Sequence, residues 1–254
     1  MNASNATLNA GPTALSIDPR EAALFGGLAE DWWNPKGSSR MLHAVNPLRL
    51  GFIRERACAH FARDGAARVP FAGLRALDIG CGGGLLTEPL TRLGFAVTGL
   101  DAAPENVAIA RAHAERQGLA IGYRAQSAEA LAAEGQRFDL VTCMEVVEHV
   151  ADLDSFLAAL RMLLSDSGLL IFSTPNRTLA SYAVLIVGAE RVTGLIPKGA
   201  HDWGKFVRPD ELTEALARHG MAAGELRGLS WRPGRGFALT GDLGIDYFGS
   251  ATCS

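Results

Sequence analysis

A chain of 254 residues with 48% hydrophobic content can bury one substantial core, a size ordinary for a single α/β domain with short extensions. Its formal net charge of -3 carries no basic excess, so nothing global draws it toward nucleic acid or anionic lipid, and any charged docking surface has to be local. The four cysteines, Cys58, Cys81, Cys143 and Cys253, include no CxxC pair, which speaks against a zinc knuckle or a disulfide framework and for a reducing compartment.

Residues 1–19 are rich in Asn, Ala, Ser and Thr and contain neither Lys nor Arg, so they read as a disordered lead rather than a signal peptide or presequence, and a bacterial cytoplasm is the expected address. Residues 20–254 read as one domain. Its first part, 20–73, is expected to form a helical cap holding the pair Trp32–Trp33 and the stretch Asn46-Pro47-Leu48-Arg49. From Leu74 onward, short apolar runs alternate with helical patterns, the signature of parallel strands joined by crossover helices. Strands are expected at Leu74–Ile79, Ala96–Leu100, Ile121–Ala125, Phe138–Met144 and Leu169–Thr174, each continuously apolar as strands buried on both faces should be. Pro104 opens a helix that Gly118 stops, and Asp152 or Asp154 caps the next, whose apolar face includes Phe156, Leu157, Leu160, Leu163 and Leu164. An inserted lid over 177–208 breaks the alternation. A helix over Pro209–His219 and two tail strands near Glu225–Trp231 and Gly236–Thr240 complete a doubly wound, mostly parallel sheet of seven strands.

Asp78-Ile79-Gly80-Cys81-Gly82-Gly83-Gly84 ends the first strand and opens a helix, so backbone can approach a ligand where a Cβ would clash. A dinucleotide fingerprint would need glycine where Leu85 stands, whereas DxGxGxG is complete through Gly84; the spacing favours S-adenosylmethionine over NAD. Asp101, at the end of the second strand, can accept hydrogen bonds from both ribose hydroxyls, or serve as a helix cap, or do both.

These stretches, with Thr142-Cys143-Met144-Glu145 through Glu148-His149 and Pro197-Lys198-Gly199-Ala200-His201-Asp202, resemble the ubiquinone-biosynthesis O-methyltransferases, a family of the Rossmann-like class I methyltransferases. The resemblance covers most of residues 20–210, and its two specific parts are Glu-Val-Val-Glu-His and Pro-Lys-Gly-x-His-Asp. It implies cofactor contacts from Arg49, Gly80, Asp101 and Met144, to which the motif reading adds Asp78 and Gly82. Arg49 would grip the methionine carboxylate through its planar fork. Met144 would pack against the adenosyl group or simply belong to the core.

The implied reaction is O-methylation of a polyprenylated phenol or catechol. A phenol with a pKa near that of Tyr, roughly 10, needs a base or a cation to lose its proton at neutral pH. Glu145, Glu148 and His149 follow the fourth strand, at the sheet edge where ligands of such folds sit, and spacings of three and four would bring them together on one helical turn. They are expected to hold a divalent ion such as Mg²⁺, with His149 as a glutamate-oriented general base the alternative. The lid carries Arg177, Arg191, Lys198, Lys205 and Arg208 against Glu190 and Asp202, a balance of +3. Its apolar residues Tyr182–Val187, Val192, Leu195, Ile196 and Trp203 would either fold onto the protein's own core or face an anionic membrane surface or a prenyl tail, and the polyprenyl acceptor that the resemblance implies favours a protein peripheral on the inner face of the bacterial membrane. Association with other enzymes of the pathway is a further expected partnership; nucleic acid is not a partner. Two rival readings stand: a class I methyltransferase acting on another small molecule, and a non-catalytic nucleotide-binding module on the same fold.

Overall fold

The computed structural model describes residues 23, 26, 31–192, 202–232, 234 and 236–254. The lead expected over 1–19 lies outside them.

The described helices are α1 (Arg40–His60), α2 (Thr87–Arg92), α3 (Pro104–Arg116), α4 (Ala128–Ala133), α5 (Leu153–Leu163) and α6 (Pro209–Arg218), with shorter turns between. The strands are β1 (Arg75–Ile79), β2 (Ala96–Asp101), β3 (Gly122–Ala125), β4 (Phe138–Met144), β5 (Leu164–Pro175), β6 (Met221–Ala223), β7 (Arg227–Arg232), β8 (Gly236–Thr240) and β9 (Asp246–Cys253). They form one sheet in the order β3-β2-β1-β4-β5-β9-β7-β8, with β6 beside β9. The first five are mutually parallel. All pairings that involve β6 to β9 are antiparallel. The doubly wound architecture is as expected, but the sheet has nine described strands rather than seven. The chain's last strand, β9, enters between β5 and β7, where the sequence pattern indicates no strand.

The central strands carry apolar residues on both faces because alternate residues serve two cores. Leu77, Val141, Cys143, Leu170 and Phe172 point to the face covered by α4, α5 and α6, where Leu131, Phe156, Leu160, Leu163, Leu212 and Leu216 are buried. Ala76, Leu140, Met144, Leu169 and Ile171 point to the opposite face, covered by Phe52 and Ile53 of α1 and Leu90 of α2. Each such side chain contributes roughly 1.5–3 kcal/mol relative to exposure, and the two-sided burial is what fixes strand register.

Local chemistry sets the helix ends. Asp152 caps α5 by accepting from the backbone N–H groups of Asp154 and Ser155 (3.1 and 3.3 Å). Pro104 and Pro209 occupy first turns, where no N–H is missed. Pro47 instead lies inside the 21-residue α1. Because strand order reverses beside β1, a crevice opens at the carboxyl ends of β1, β2 and β4, and the glycine loop, Asp101 and Glu145 all follow those ends.

Candidate functional site

The loop after β1 turns through left-handed backbone at Gly80, Gly82 and Gly84 (φ +69°, +51° and +89°), conformations open to glycine. Close neighbours add a second constraint: a Cβ at Gly80 would lie 2.5 Å from Val146 Cγ2, and one at Gly82 2.6 Å from the Trp32 indole. Asp78 is buried beneath the loop. Its carboxylate accepts from Thr87 Oγ1 of α2 (2.6 Å) and Thr142 Oγ1 of β4 (2.7 Å), and burial lifts its pKa to about 6 despite those bonds. It therefore ties loop, helix and strand together.

Asp101 is bonded to both the loop and the helix that follows it. Its Oδ2 accepts from the Gly82 N–H (2.8 Å), and its Oδ1 accepts from the Ala103 N–H (2.9 Å) at the start of α3 and from Asn106 Nδ2 (3.1 Å). Burial raises its pKa against these bonds. The carboxylate thus stands at the crevice beside the loop, held by three donors.

Arg49 reaches the site from α1. Its Nη2 is 3.8 Å from Glu145 Oε1, and its buried Nε has no hydrogen-bond partner. An unsatisfied guanidinium N–H in this position suits an incoming carboxylate. Met144 is buried at the end of β4, in register with Ser173 of β5.

Glu145, Glu148 and His149 are adjacent but do not lie together on one helical turn. Glu145 takes a left-handed backbone (φ +57°), and only Val147–His149 form a 3₁₀ turn. Such a conformation in a non-glycine residue is strained and is characteristic of functional sites. The carboxylate of Glu145 is drawn to Ser173 Oγ and toward Arg49. That of Glu148, almost wholly buried, accepts from Thr174 Oγ1 (2.9 Å) with Oε2, while Oε1 has no hydrogen-bond partner and lies 3.8 Å from His149 Nε2. Burial, reinforced by the Glu145 charge, pushes the Glu148 pKa up to about 7, against the lowering effect of His149. The two carboxylates turn to different partners, and among the described residues no three His, Cys, Asp or Glu side chains are gathered closely enough to hold a metal ion.

One member of this cluster carries no signal in the sequence. Asp246, paired with Pro175 across the β5–β9 ladder, is buried with Oδ1 unpartnered, and burial and the nearby Glu145 raise its pKa while Arg49 opposes them. Antiparallel pairing places Asp246 on the same face as Ser173.

Of the expected lid, Leu179–Ser181 form a helical turn that continues as a wider π-helical segment, Tyr182–Val192. Leu179, Tyr182, Val184, Val187 and Val192 are exposed, whereas Ile186 is buried. Trp203 folds back, its indole donating to Thr178 O (2.9 Å). Leu195, Ile196 and Pro197–His201 lie outside the described residues, and among the described residues no helix is long and apolar enough to cross a membrane.

Comparison with known proteins places this geometry. The methyltransferase-domain family matches residues 51–224. A ubiquinone biosynthesis O-methyltransferase of Cereibacter sphaeroides is 51% identical over 237 residues, covering 92% of this chain and 96% of that protein. The protein so named in Caulobacter vibrioides is 49% identical over 239 residues, covering 93% and 95%. Among solved structures, the magnesium protoporphyrin IX methyltransferase of Synechocystis with bound SAH shares the fold at a TM-score of 0.58 and 21% identity, over 90% of this chain and 99% of that one. The PH0226 protein of Pyrococcus horikoshii does so at 0.61 and 16%, over 91% and 99%. The chain belongs to the ubiquinone biosynthesis O-methyltransferase family and is an S-adenosylmethionine-dependent O-methyltransferase.

Proposed function

We propose that the enzyme methylates a phenolic or catechol hydroxyl of a polyprenylated ubiquinone precursor, with the cofactor over the glycine loop and the acceptor beside Glu145, Glu148 and His149. The observation that carries the acceptor side is the Glu148–His149 pair, with one buried carboxylate oxygen unpartnered 3.8 Å from an imidazole nitrogen.

On this reading, Asp101 binds the ribose hydroxyls, Arg49 the methionine carboxylate, and Gly80, Gly82 and Met144 the surfaces between them, while Asp78 acts from beneath by holding the loop. The acceptor oxygen attacks the sulfonium methyl in line; the new O–C bond forms as the C–S bond breaks, leaving S-adenosylhomocysteine. His149 takes the phenolic proton, and Glu148, with a pKa near neutrality, orients the imidazole and balances its charge. Glu145 and Asp246 keep Arg49 in place beside the acceptor.

A second reading is favoured by a specific feature: Glu148 Oε1 and Asp246 Oδ1 are buried oxygens without hydrogen-bond partners, and hard oxygen donors suit Mg²⁺. Glu145, Glu148 and His149 would hold the ion after their side chains turn inward, and a bound ion would supply positive charge to the phenolate.

The exposed apolar side chains of 179–192, next to Arg177 and Arg191, support peripheral docking on an anionic membrane from which a prenylated acceptor is drawn. Steady-state assays with S-adenosylmethionine test the acceptor class. Turnover should be strong with a short-chain prenylated catechol and absent with the same ring carrying no hydroxyl; equal S-adenosylhomocysteine release from both would overturn the proposal.

A further inference from the structure

The glycine loop is gripped by an aromatic pair that arrives from far away in sequence. Trp32 lies over Gly82 and Gly83: a Cβ on either glycine would come within 2.6 Å of its side chain. Its indole Nε1 donates to Asn106 Oδ1 (2.8 Å), and Asn106, almost wholly buried in the first turn of α3, donates from Nδ2 to Asp101 Oδ1 (3.1 Å). Trp33 adds a second hold, donating from Nε1 to Gly83 O (2.9 Å) and stacking on His113 of α3 with ring centroids 3.5 Å apart and planes within 9°. His113 is in turn paired with the buried Glu88 of α2 (2.6 Å), and His43 of α1 bonds to Trp32 O (2.9 Å).

The chemistry of the amide gives this arrangement direction. An Asn side chain offers one acceptor and two donors. A Trp N–H can only donate, so it claims the Asn106 oxygen and turns the NH₂ group toward Asp101. Asp101 Oδ1, which also accepts from the Ala103 N–H, is thereby satisfied and held in place, and the acceptor site left for a ligand is on Oδ2, which takes only the Gly82 N–H. We propose that Trp32 and Asn106 are positioning residues for the cofactor, acting through Asp101 on recognition of the ribose.

The proposal rests on Asp101 as the ribose acceptor. Calorimetric titration of the full-length chain with S-adenosylhomocysteine, and with its analogue lacking the ribose hydroxyls, separates the two ideas. Trp32→Phe keeps an aromatic ring on the loop but removes the N–H, and Asn106→Ala removes the relay. Each should weaken S-adenosylhomocysteine about threefold to tenfold, the effect of one hydrogen bond, and the double variant should be no weaker than Asn106→Ala alone. Both penalties should vanish for the analogue, and in turnover the loss should fall on KM for S-adenosylmethionine more than on kcat. Wild-type affinity in Trp32→Phe and Asn106→Ala, additive penalties, or equal penalties for both ligands would each overturn the relay while leaving Asp101 in place. An Asp101→Ala variant that binds both ligands as the wild type does would instead overturn the ribose assignment beneath it.

Discussion

Replacing Glu148 by Gln should make the protein more stable in neutral and basic solution while removing its activity. The carboxyl is almost wholly buried, and its pKa rises from an ordinary 4.5 to about 7. Because the folded-state value is the higher one, stability is fullest below pH 4.5 and falls as pH rises toward 7, where the buried group is forced to ionise. At 1.36 kcal/mol for each pKa unit, the loss reaches about 3 kcal/mol by pH 8. The Glu148→Gln variant has no such loss, and the oxygen of its new amide can still accept from Thr174. For a chain of this size, a difference of that order moves the melting temperature by roughly 6–12 °C. Asp246 adds to the gain, since the Glu148 charge also raises its pKa and removing that charge lessens the cost of ionising it. Thermal melts of both proteins, after EDTA treatment and at half-unit steps from about pH 4.5 to 8.5, give the comparison; other titrating groups largely cancel. The gap should open between pH 4.5 and 7 and persist above. A gap that does not change with pH would mean that Glu148 holds the same charge throughout, and the burial argument would fail.

Asp101→Ala should abolish measurable S-adenosylmethionine binding in a folded protein. It is a cleaner probe than Gly80→Val, whose side chain would also collide with Val146; unchanged affinity in calorimetry contradicts the cofactor assignment. Activity surviving rigorous chelation, together with a large loss in His149→Ala, supports the imidazole as base, whereas loss on chelation with recovery on adding Mg²⁺ supports the ion. Placing Asp at Val184 and Val187, both exposed, should reduce co-sedimentation with anionic liposomes several-fold without unfolding, since each buried apolar Å² at an interface contributes roughly 25 cal/mol. Equal sedimentation of variant and wild type contradicts membrane docking through this segment.

The parallel half of the fold is legible because its signals are local. Its strands are short and mostly apolar without alternation, the glycine loop directly follows β1, and Asp101 ends β2. The elements that escape the sequence depend on distant partners. Asp-Tyr-Phe-Gly-Ser-Ala-Thr-Cys of β9 is dominated by small residues with little intrinsic strand preference, and it becomes a strand by pairing with β5, more than 70 residues upstream. Asp246 joins the acceptor cluster only through that pairing. Leu185 and Ile186 look equivalent to their neighbours in an apolar run, but the π-helical winding buries Ile186 and exposes Val184 and Val187. Trp32 and Trp33 are visible as an aromatic pair, yet their seat on Gly82 and Gly83 arises from contacts across some 50 residues. The helical convergence expected of Glu145, Glu148 and His149 fails at a single residue, Glu145, whose left-handed backbone nothing in its side chain foretells.

The central claim is methyl transfer to a ring oxygen, and its most direct test uses S-adenosylmethionine carrying a ¹³C-labelled methyl group and a prenylated catechol. Nuclear magnetic resonance of the isolated product should show the label as an aryl O-methyl ether, formed in step with S-adenosylhomocysteine and lost in Glu148→Ala and His149→Ala. Label on a ring carbon, or no transfer by a protein that binds both ligands, would contradict the account.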